Sequence, residues 1–141
     1  MREIYLDHAA TTPLREEVLE AMLPYLTQEF GNASTVYSWG RRARQALGTA
    51  RDEVAALLHA APEEVVFTSG GSEGANLAIK GTAWANRDKG KHIITSAIEH
   101  NAVLDAVEWL ERNAGFSVTI LPVDGEGTVQ PETVKKALRP D

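Results

Sequence analysis

The spacing of apolar and polar residues changes several times along the chain, and each change predicts an element. In "REEVLEAMLPYL", residues 15–26, Val18, Met22 and Leu26 recur every fourth position, the period of one helix face, with acidic Glu16 and Glu17 in the first turn where the helix dipole favours them. Pro24, which has no N–H to donate, is expected to bend or end that helix early. Before it, "EIYLD" (Glu3 to Asp7) reads as a short strand or extended segment, and "HAATTPL" (His8 to Leu14) as a loop. After the turn-rich "EFGNAS", a long helical pattern runs to about Leu58, its apolar stripe made by Ala43, Ala46, Leu47, Ala50, Val54, Leu57 and Leu58. The period then switches. "EVVFTS" (64–69), "KHIITS" (91–96) and "FSVTILPV" (116–123) are short, nearly continuous apolar runs of the kind that form buried strands. Helical patterns follow each of them, over residues 71–87, from the capping-box spacing at Ser96 and Glu99 to about Asn113, and from Pro131 to near Leu138. Alternating strands and helices of this length predict an α/β layered sheet with parallel strands.

Composition narrows the classes of function. The 141 residues are 43% hydrophobic and 24% charged, with no repeat, low-complexity tract or long linker, so the chain reads as one globular piece. No window approaches 18 consecutive apolar residues, and the first residues lead straight into an extended run, which predicts an untargeted cytoplasmic protein. A net charge of −6 argues against nucleic acid or an anionic membrane as partner. The one dense basic cluster, "GRRAR" (Gly40 to Arg44), reads as the solvated face of a helix. With no cysteine, the chain holds no disulfide, no thiolate metal site and no cysteine nucleophile.

The junction "TSGGSE" carries the clearest chemical signal. There an apolar run passes into a helix, and the first N–H groups of that helix have no partner along its axis and carry partial positive charge. Gly70 and Gly71 allow an anion to approach the backbone without meeting a Cβ, and Ser72 adds a hydroxyl donor. The same residues also suit a tight turn with Ser69 or Ser72 as an ordinary cap. Neither the Walker pattern nor the G-x-G-x-x-G spacing fits, which leaves a simpler anion such as a cofactor phosphate. Glu73 is expected to point away from any such phosphate. His100, in "IEHNAV", falls at the start of the helix after "KHIITS", and parallel strands would open both helices at one sheet edge. A helix N-terminus disfavours imidazolium, so His100 is expected to be neutral and able to stack or to shuttle a proton. His8, His59 and His92 have no metal-binding spacing with it, and no metal site is expected.

Five motifs in order, "YLDHAATTPL", "FGNAS", "EEVVFTSGGSEGANLAIKG", "GKHIITSAIEHNAVLDAVEWLE" and "VTILPVDGEGTV", closely resemble the start of the pyridoxal-phosphate-dependent cysteine desulfurases, within the aminotransferase class V family. The likeness covers essentially the whole chain, and "FGNAS" resembles the branch that feeds general iron–sulfur cluster assembly. The implied fold is α/β, an incomplete three-layer, fold type I transferase sheet flanked by helices, with a leading segment over about 1–15 and the start of the large cofactor-binding domain over about 16–141. By resemblance, Gly71 and Ser72 match the pair that binds the phosphate of pyridoxal 5′-phosphate, and His100 matches the histidine that stacks on its ring and takes part in proton transfer. His8 to Thr12 matches a loop near the substrate entrance. The implied reaction converts L-cysteine to L-alanine and an enzyme-bound persulfide, with a sulfur-acceptor scaffold protein as partner and a homodimer as the assembly.

Several parts of that machinery have no match in these residues. Lys80, Lys89, Lys91, Lys135 and Lys136 do not stand in the family's Ser-x-His-Lys context, so the Schiff-base lysine is absent. The mobile-loop cysteine, the aspartate that pairs with the pyridinium nitrogen and the arginine that clamps the substrate carboxylate are absent too. The chain is therefore expected to be the amino-terminal part of a desulfurase, inactive alone, with the rest potentially supplied as a separate chain. Selenocysteine lyase or another class V enzyme is the nearest alternative, and a non-catalytic complementing subunit the alternative from another class. Three strands of a larger sheet are expected to leave an open edge and an uncovered apolar face.

Overall fold

The helical periods of the first half are realised in a computed structural model, which describes residues 3–140. Helix α1 spans Glu16–Thr27 and α2 spans Ser38–Leu58, and a single 3₁₀ turn follows at Pro62–Glu64. These belong to one unit of the chain, which ends at Val66; a second unit begins at Phe67. Pro24 does not end α1. It sits inside the helix, which continues for another turn, and its carbonyl accepts the N–H groups of Gln28 and Glu29, both at 2.8 Å. The apolar stripe of α2 is turned toward α1: Ala43, Ala46, Leu47 and Ala50 line an open groove of about 740 Å³ with Ala21 and Tyr25. Helix α2 stops at His59, whose left-handed backbone (φ 53°) lets its N–H reach the carbonyls of Ala55 and Ala56.

The "GRRAR" cluster does more than face solvent. Arg41 donates to the Val36 carbonyl at 2.7 Å, and Arg44 holds the Ala33 carbonyl through two nitrogens at 2.9 and 2.7 Å. Arg42 pairs with Glu29 at 2.8 Å and lies 4.5 Å from the centre of the Trp39 ring, which in turn stacks on Phe30. Three arginines thus fasten the loop between α1 and α2 onto the first turns of α2. Gly40 is buried where that loop crosses the helix, and a Cβ there would lie 2.5 Å from the Thr35 carbonyl oxygen and 2.6 Å from that of Asn32.

The second unit holds α3 (Gly71–Asn86), β1 (His92–Ser96), α4 (Asn101–Ala114), β2 (Ser117–Leu121) and α5 (Pro131–Ala137). The two strands pair in parallel, His92 opposite Ser117 and Ser96 opposite Leu121, so the α/β reading holds with α4 as the crossover. Gly115 makes the return possible: its φ of 70° ends α4 and turns the chain into β2 within three residues. Ala106, Val107 and Leu110 of α4 are buried together with Phe116 and Leu121, and Trp84 of α3 meets Phe116 edge-on at 6.4 Å.

The expected strand at 64–69 does not form. Beyond the 3₁₀ turn its residues are assigned to no strand, and Val66 is 65% exposed. β-structure requires a partner as well as a sequence, and among the described residues the sheet has only β1 and β2. Each of those strands has a free edge. On that of β2, Glu111 accepts the Val118 N–H at 3.1 Å, which blunts part of it. Ile120 of β2 is 56% exposed, and in the first unit Leu6, Leu26, Val36 and Leu57 are exposed as well.

Candidate functional site

Helix α3 begins without a side-chain cap. Its capping position is Gly70, and the first amide taken up within the helix is that of Gly74, by the Gly70 carbonyl at 3.0 Å. The N–H groups of Gly71, Ser72 and Glu73 have no acceptor among the described residues, and the Ser72 hydroxyl makes no hydrogen bond there either. Ser69, considered as an ordinary cap, instead gives both its N–H (2.7 Å) and its hydroxyl (2.6 Å) to the Glu73 carboxylate. Glu73 is thereby committed to Ser69 rather than to the free amides. A Cβ built on Gly70 or Gly71 would meet nothing within 4 Å, and neither residue has a left-handed backbone. Packing and conformation therefore leave both glycines unexplained, and the space in front of them is open to an anion.

The capping box expected at Ser96 and Glu99 does not open α4. Ser96 is the last paired residue of β1, so it cannot also cap a helix, and its hydroxyl donates to Glu99 at 2.9 Å within the turn that follows. The helix starts five residues on, at Asn101, and its cap is His100, whose extended backbone (φ −62°, ψ 146°) directs the ring back over the first turn. Nδ1 of His100 accepts the Ala102 N–H at 3.0 Å. That acceptor role places the ring proton on Nε2 and makes the neutral imidazole the form that caps the helix.

The two turns are brought together through the packing of α3 on α4. Asn76, one turn into α3, donates from Nδ2 to the Ser72 carbonyl at 3.0 Å and to the Ala102 carbonyl at 3.5 Å. Further along, Lys80 lies 4.9 Å from the centre of the Trp109 ring. Gly71, Ser72 and His100 are all exposed. Asn76 was not among the residues singled out from sequence; its signal was its place four residues after Ser72, within reach of that carbonyl on one helix face. The loop from His8 to Thr12 lies in the first unit, as a turn closed by the Tyr5 hydroxyl, which donates to the carbonyls of Asp7 (2.8 Å) and Thr11 (3.2 Å). Among the described residues no three His, Asp or Glu side chains are grouped to hold a metal ion, and no helix is long and apolar enough to cross a membrane.

Two carboxylates in this unit titrate below their ordinary range. The Ser69 hydroxyl, and after it the Ser69 N–H, holds Glu73 down, while the N–H groups of Thr128 and Glu126 and the side chain of Gln130 hold Asp124 down. Because the folded-state values are lowered, these contacts contribute stability that is fully present above the ordinary values of 4.5 and 3.8 and is lost as pH falls through the lowered ones. A carboxyl ¹³C titration of the folded chain is expected to place both midpoints below those ordinary values, and Asp124→Asn is expected to remove the acid-side loss that Asp124 causes.

The second unit is thus a parallel α/β unit in which, among the described residues, α3 opens on three amides and a serine hydroxyl without a hydrogen-bond partner, and α4 opens on a histidine cap. The chain belongs to the aminotransferase class-V family, whose model matches residues 4–141. It is 55% identical over 140 residues to a cysteine desulfurase IscS of Dictyoglomus turgidum, covering 99% of this chain and 35% of that protein. It is 54% identical to the cysteine desulfurase IscS of Methanosarcina thermophila, covering 99% of this chain and 34% of that one. The chain thus spans about a third of the length of the curated relatives it matches. Among solved structures, a NifS-like protein superposes with a TM-score of 0.89 at 34% identity, over 97% of this chain and 37% of its own. A structure described as SspA in complex with cysteine gives 0.86 at 42% identity, over 96% of this chain and 39% of its own.

Proposed function

We propose that these residues are the amino-terminal part of a pyridoxal-phosphate-dependent cysteine desulfurase, the portion that receives the cofactor's phosphate and presents a histidine to its ring. The observation that carries this reading is the unsatisfied start of α3: three free N–H groups and the Ser72 hydroxyl, with open space before Gly70 and Gly71. These donors fit a phosphate monoester, which needs several hydrogen bonds at one point and gains from the helix dipole. Pyridoxal 5′-phosphate, when bound, would supply through its pyridine ring an electron sink for the carbon framework of an amino acid. The chain's own residues do the rest of what is proposed here. Gly71, Ser72 and Glu73 hold the phosphate through their amides, and Ser72 adds its hydroxyl. His100 presents Nε2–H as a hydrogen-bond donor, and to take up a proton it must release the Ala102 N–H from Nδ1, the ring nitrogen that carries the lone pair.

The substrate in this reading is L-cysteine, which relatives named cysteine desulfurase and a neighbouring structure holding cysteine support. The products are L-alanine and sulfur carried as a persulfide for iron–sulfur cluster assembly, handed to an acceptor protein by a cytoplasmic homodimer. The division into a leading segment, about 1–15, and a cofactor-binding domain from about 16 belongs to the same reading. The lysine and the cysteine that the chemistry requires are not among these residues. The 141-residue chain with added cofactor is therefore expected to form no alanine from L-cysteine. A chimera that continues it with the carboxy-terminal remainder of a 55% identical relative is expected to form alanine, and faster from cysteine than hydrogen selenide from selenocysteine. A folded, cofactor-loaded chimera inert toward cysteine, or sustained turnover by the chain alone, would overturn the proposal.

A further inference from the structure

Asparagine is a poor helix former, because its amide competes for backbone groups, yet Asn76 stands in the interior of α3 and is partly buried. A side-chain amide has two donor hydrogens, and both are used here on carbonyls in different helices: Ser72 of α3 at 3.0 Å and Ala102 of α4 at 3.5 Å. Among the described residues this is the one side-chain hydrogen bond that joins α3 to α4. Ala102 is held from both sides, since its N–H is taken by Nδ1 of His100 at 3.0 Å. A line of contacts therefore runs from Ser72 through the Asn76 amide to the carbonyl of Ala102, and from the N–H of the same residue to the imidazole. The other tie between these helices, Lys80 against Trp109, lies one turn farther from the site and has no directional bond to either of its members.

We infer that Asn76 is a positioning residue, which sets the His100 imidazole relative to the anion-binding turn at Ser72 and so couples occupancy of that turn to the ring. This rests on the phosphate-binding role proposed for the turn. The physical reason is that two helix starts packed by apolar contacts alone can slide and rotate by small amounts, whereas an amide bonded to one carbonyl on each fixes both. Asn76 itself has no role in holding the anion, because it donates only to carbonyls.

The test is NMR on the isotopically labelled chain, which reads the amides of Gly71, Ser72 and Glu73, the ring nitrogens of His100 and the exchange rate of the Ala102 amide. The probes are pyridoxal 5′-phosphate, pyridoxal without the phosphate, and inorganic phosphate. In the unsubstituted chain both phosphate-bearing probes are expected to shift the three amides and the His100 ring together, with pyridoxal leaving the amides unmoved. In Asn76→Ala the amides are expected to respond with affinity within about threefold, while the ring no longer follows and the Ala102 amide, whose acceptor His100 Nδ1 is then less firmly held, exchanges about tenfold faster. Asn76→Ser, whose hydroxyl can bond back to Ser72 but is too short for Ala102, is expected to behave like Asn76→Ala. Ring shifts and Ala102 exchange unchanged in both variants would overturn the inference, as would loss of the dispersed β1 and β2 amides in both, which would make Asn76 merely structural. If the three amides ignore phosphate in the unsubstituted chain, the anion reading fails, and Asn76 loses the coupling assigned to it. Ala102 exchange in the variants then still shows whether it holds the His100 cap, so the two failures are told apart.

Discussion

Replacing Ser72 by aspartate is expected to abolish anion binding at the start of α3 while leaving the fold as stable as before or slightly more so. Two effects act against the ligand. The hydroxyl that would donate to a phosphate oxygen is lost, and such charge-assisted bonds contribute about 1.5–3 kcal/mol. A carboxylate is also placed beside the phosphate, where repulsion at about 4 Å amounts to roughly 1–4 kcal/mol between water-like and protein-like surroundings. Together they predict a loss of at least about a hundredfold in affinity for pyridoxal 5′-phosphate or inorganic phosphate, read from the Gly71 and Glu73 amide shifts. The same charge in the first turn of α3 is favourable to the helix by about 0.3–1 kcal/mol, so thermal stability should hold or rise. Ser72→Ala, which removes the hydroxyl only, should fall between the two. Equal affinity in Ser72→Asp and the parent chain would remove the anion from this turn altogether.

The largest effect on stability is expected at Gly40. The Cβ of Gly40→Ala would be forced to within 2.0 Å of the Thr35 hydroxyl oxygen, which can rotate away, and to 2.5 and 2.6 Å from two backbone oxygens, which cannot. Relief requires the loop that Arg41 and Arg44 clamp to lift off α2, with loss of those bonds. A cost of about 3 kcal/mol follows, with a fall in melting temperature of roughly 10 °C for a domain of this size. Gly48, in the same helix, is the control: a Cβ there meets nothing, and Gly48→Ala should stabilise by about 1 kcal/mol through helix propensity alone. Calorimetry on the two variants reads opposite signs for one chemical change. A Gly40→Ala chain as stable as the parent would mean that the loop does not cross the helix as described.

How far the sequence reaches differs from element to element. The helices were legible because their signal lies within their own residues: a stripe every three or four positions in the long ones, acidic Glu16 and Glu17 at one start, Pro131 at the start of the short α5. So were β1 and β2, which found each other across α4. The run at 64–69 has as good a strand composition as either, yet it joins no sheet among the described residues, because strand formation is a property of two segments and not of one. Pro24 shows a milder form of the same limit: a missing N–H weakens a helix locally, and whether the helix ends depends on the turn around it, here continued through the Pro24 carbonyl.

The candidate site divides in the same way. Residue identity singled out Gly71, Ser72 and His100 as candidates beside the plainer reading of a turn and a cap, and it was the resemblance to the desulfurases that gave them cofactor roles. The state in which they stand was decided by tertiary structure. Ser96 was drawn into β1 by its pairing with Leu121, which moved the start of α4 to Asn101 and made the His100 ring, rather than a serine, the cap. Glu73 was drawn to Ser69, which freed the amides beside it. The arginines of "GRRAR" could be counted from sequence as charge, yet the partners of Arg41 and Arg44 are the carbonyls of Val36 and Ala33 and that of Arg42 is the Glu29 carboxylate, all fixed only once the loop had folded back. Local periodicity and residue chemistry are written along the chain; the hydrogen-bond partner of each polar group depends on what packing brings within about 3 Å, and that is settled only in three dimensions.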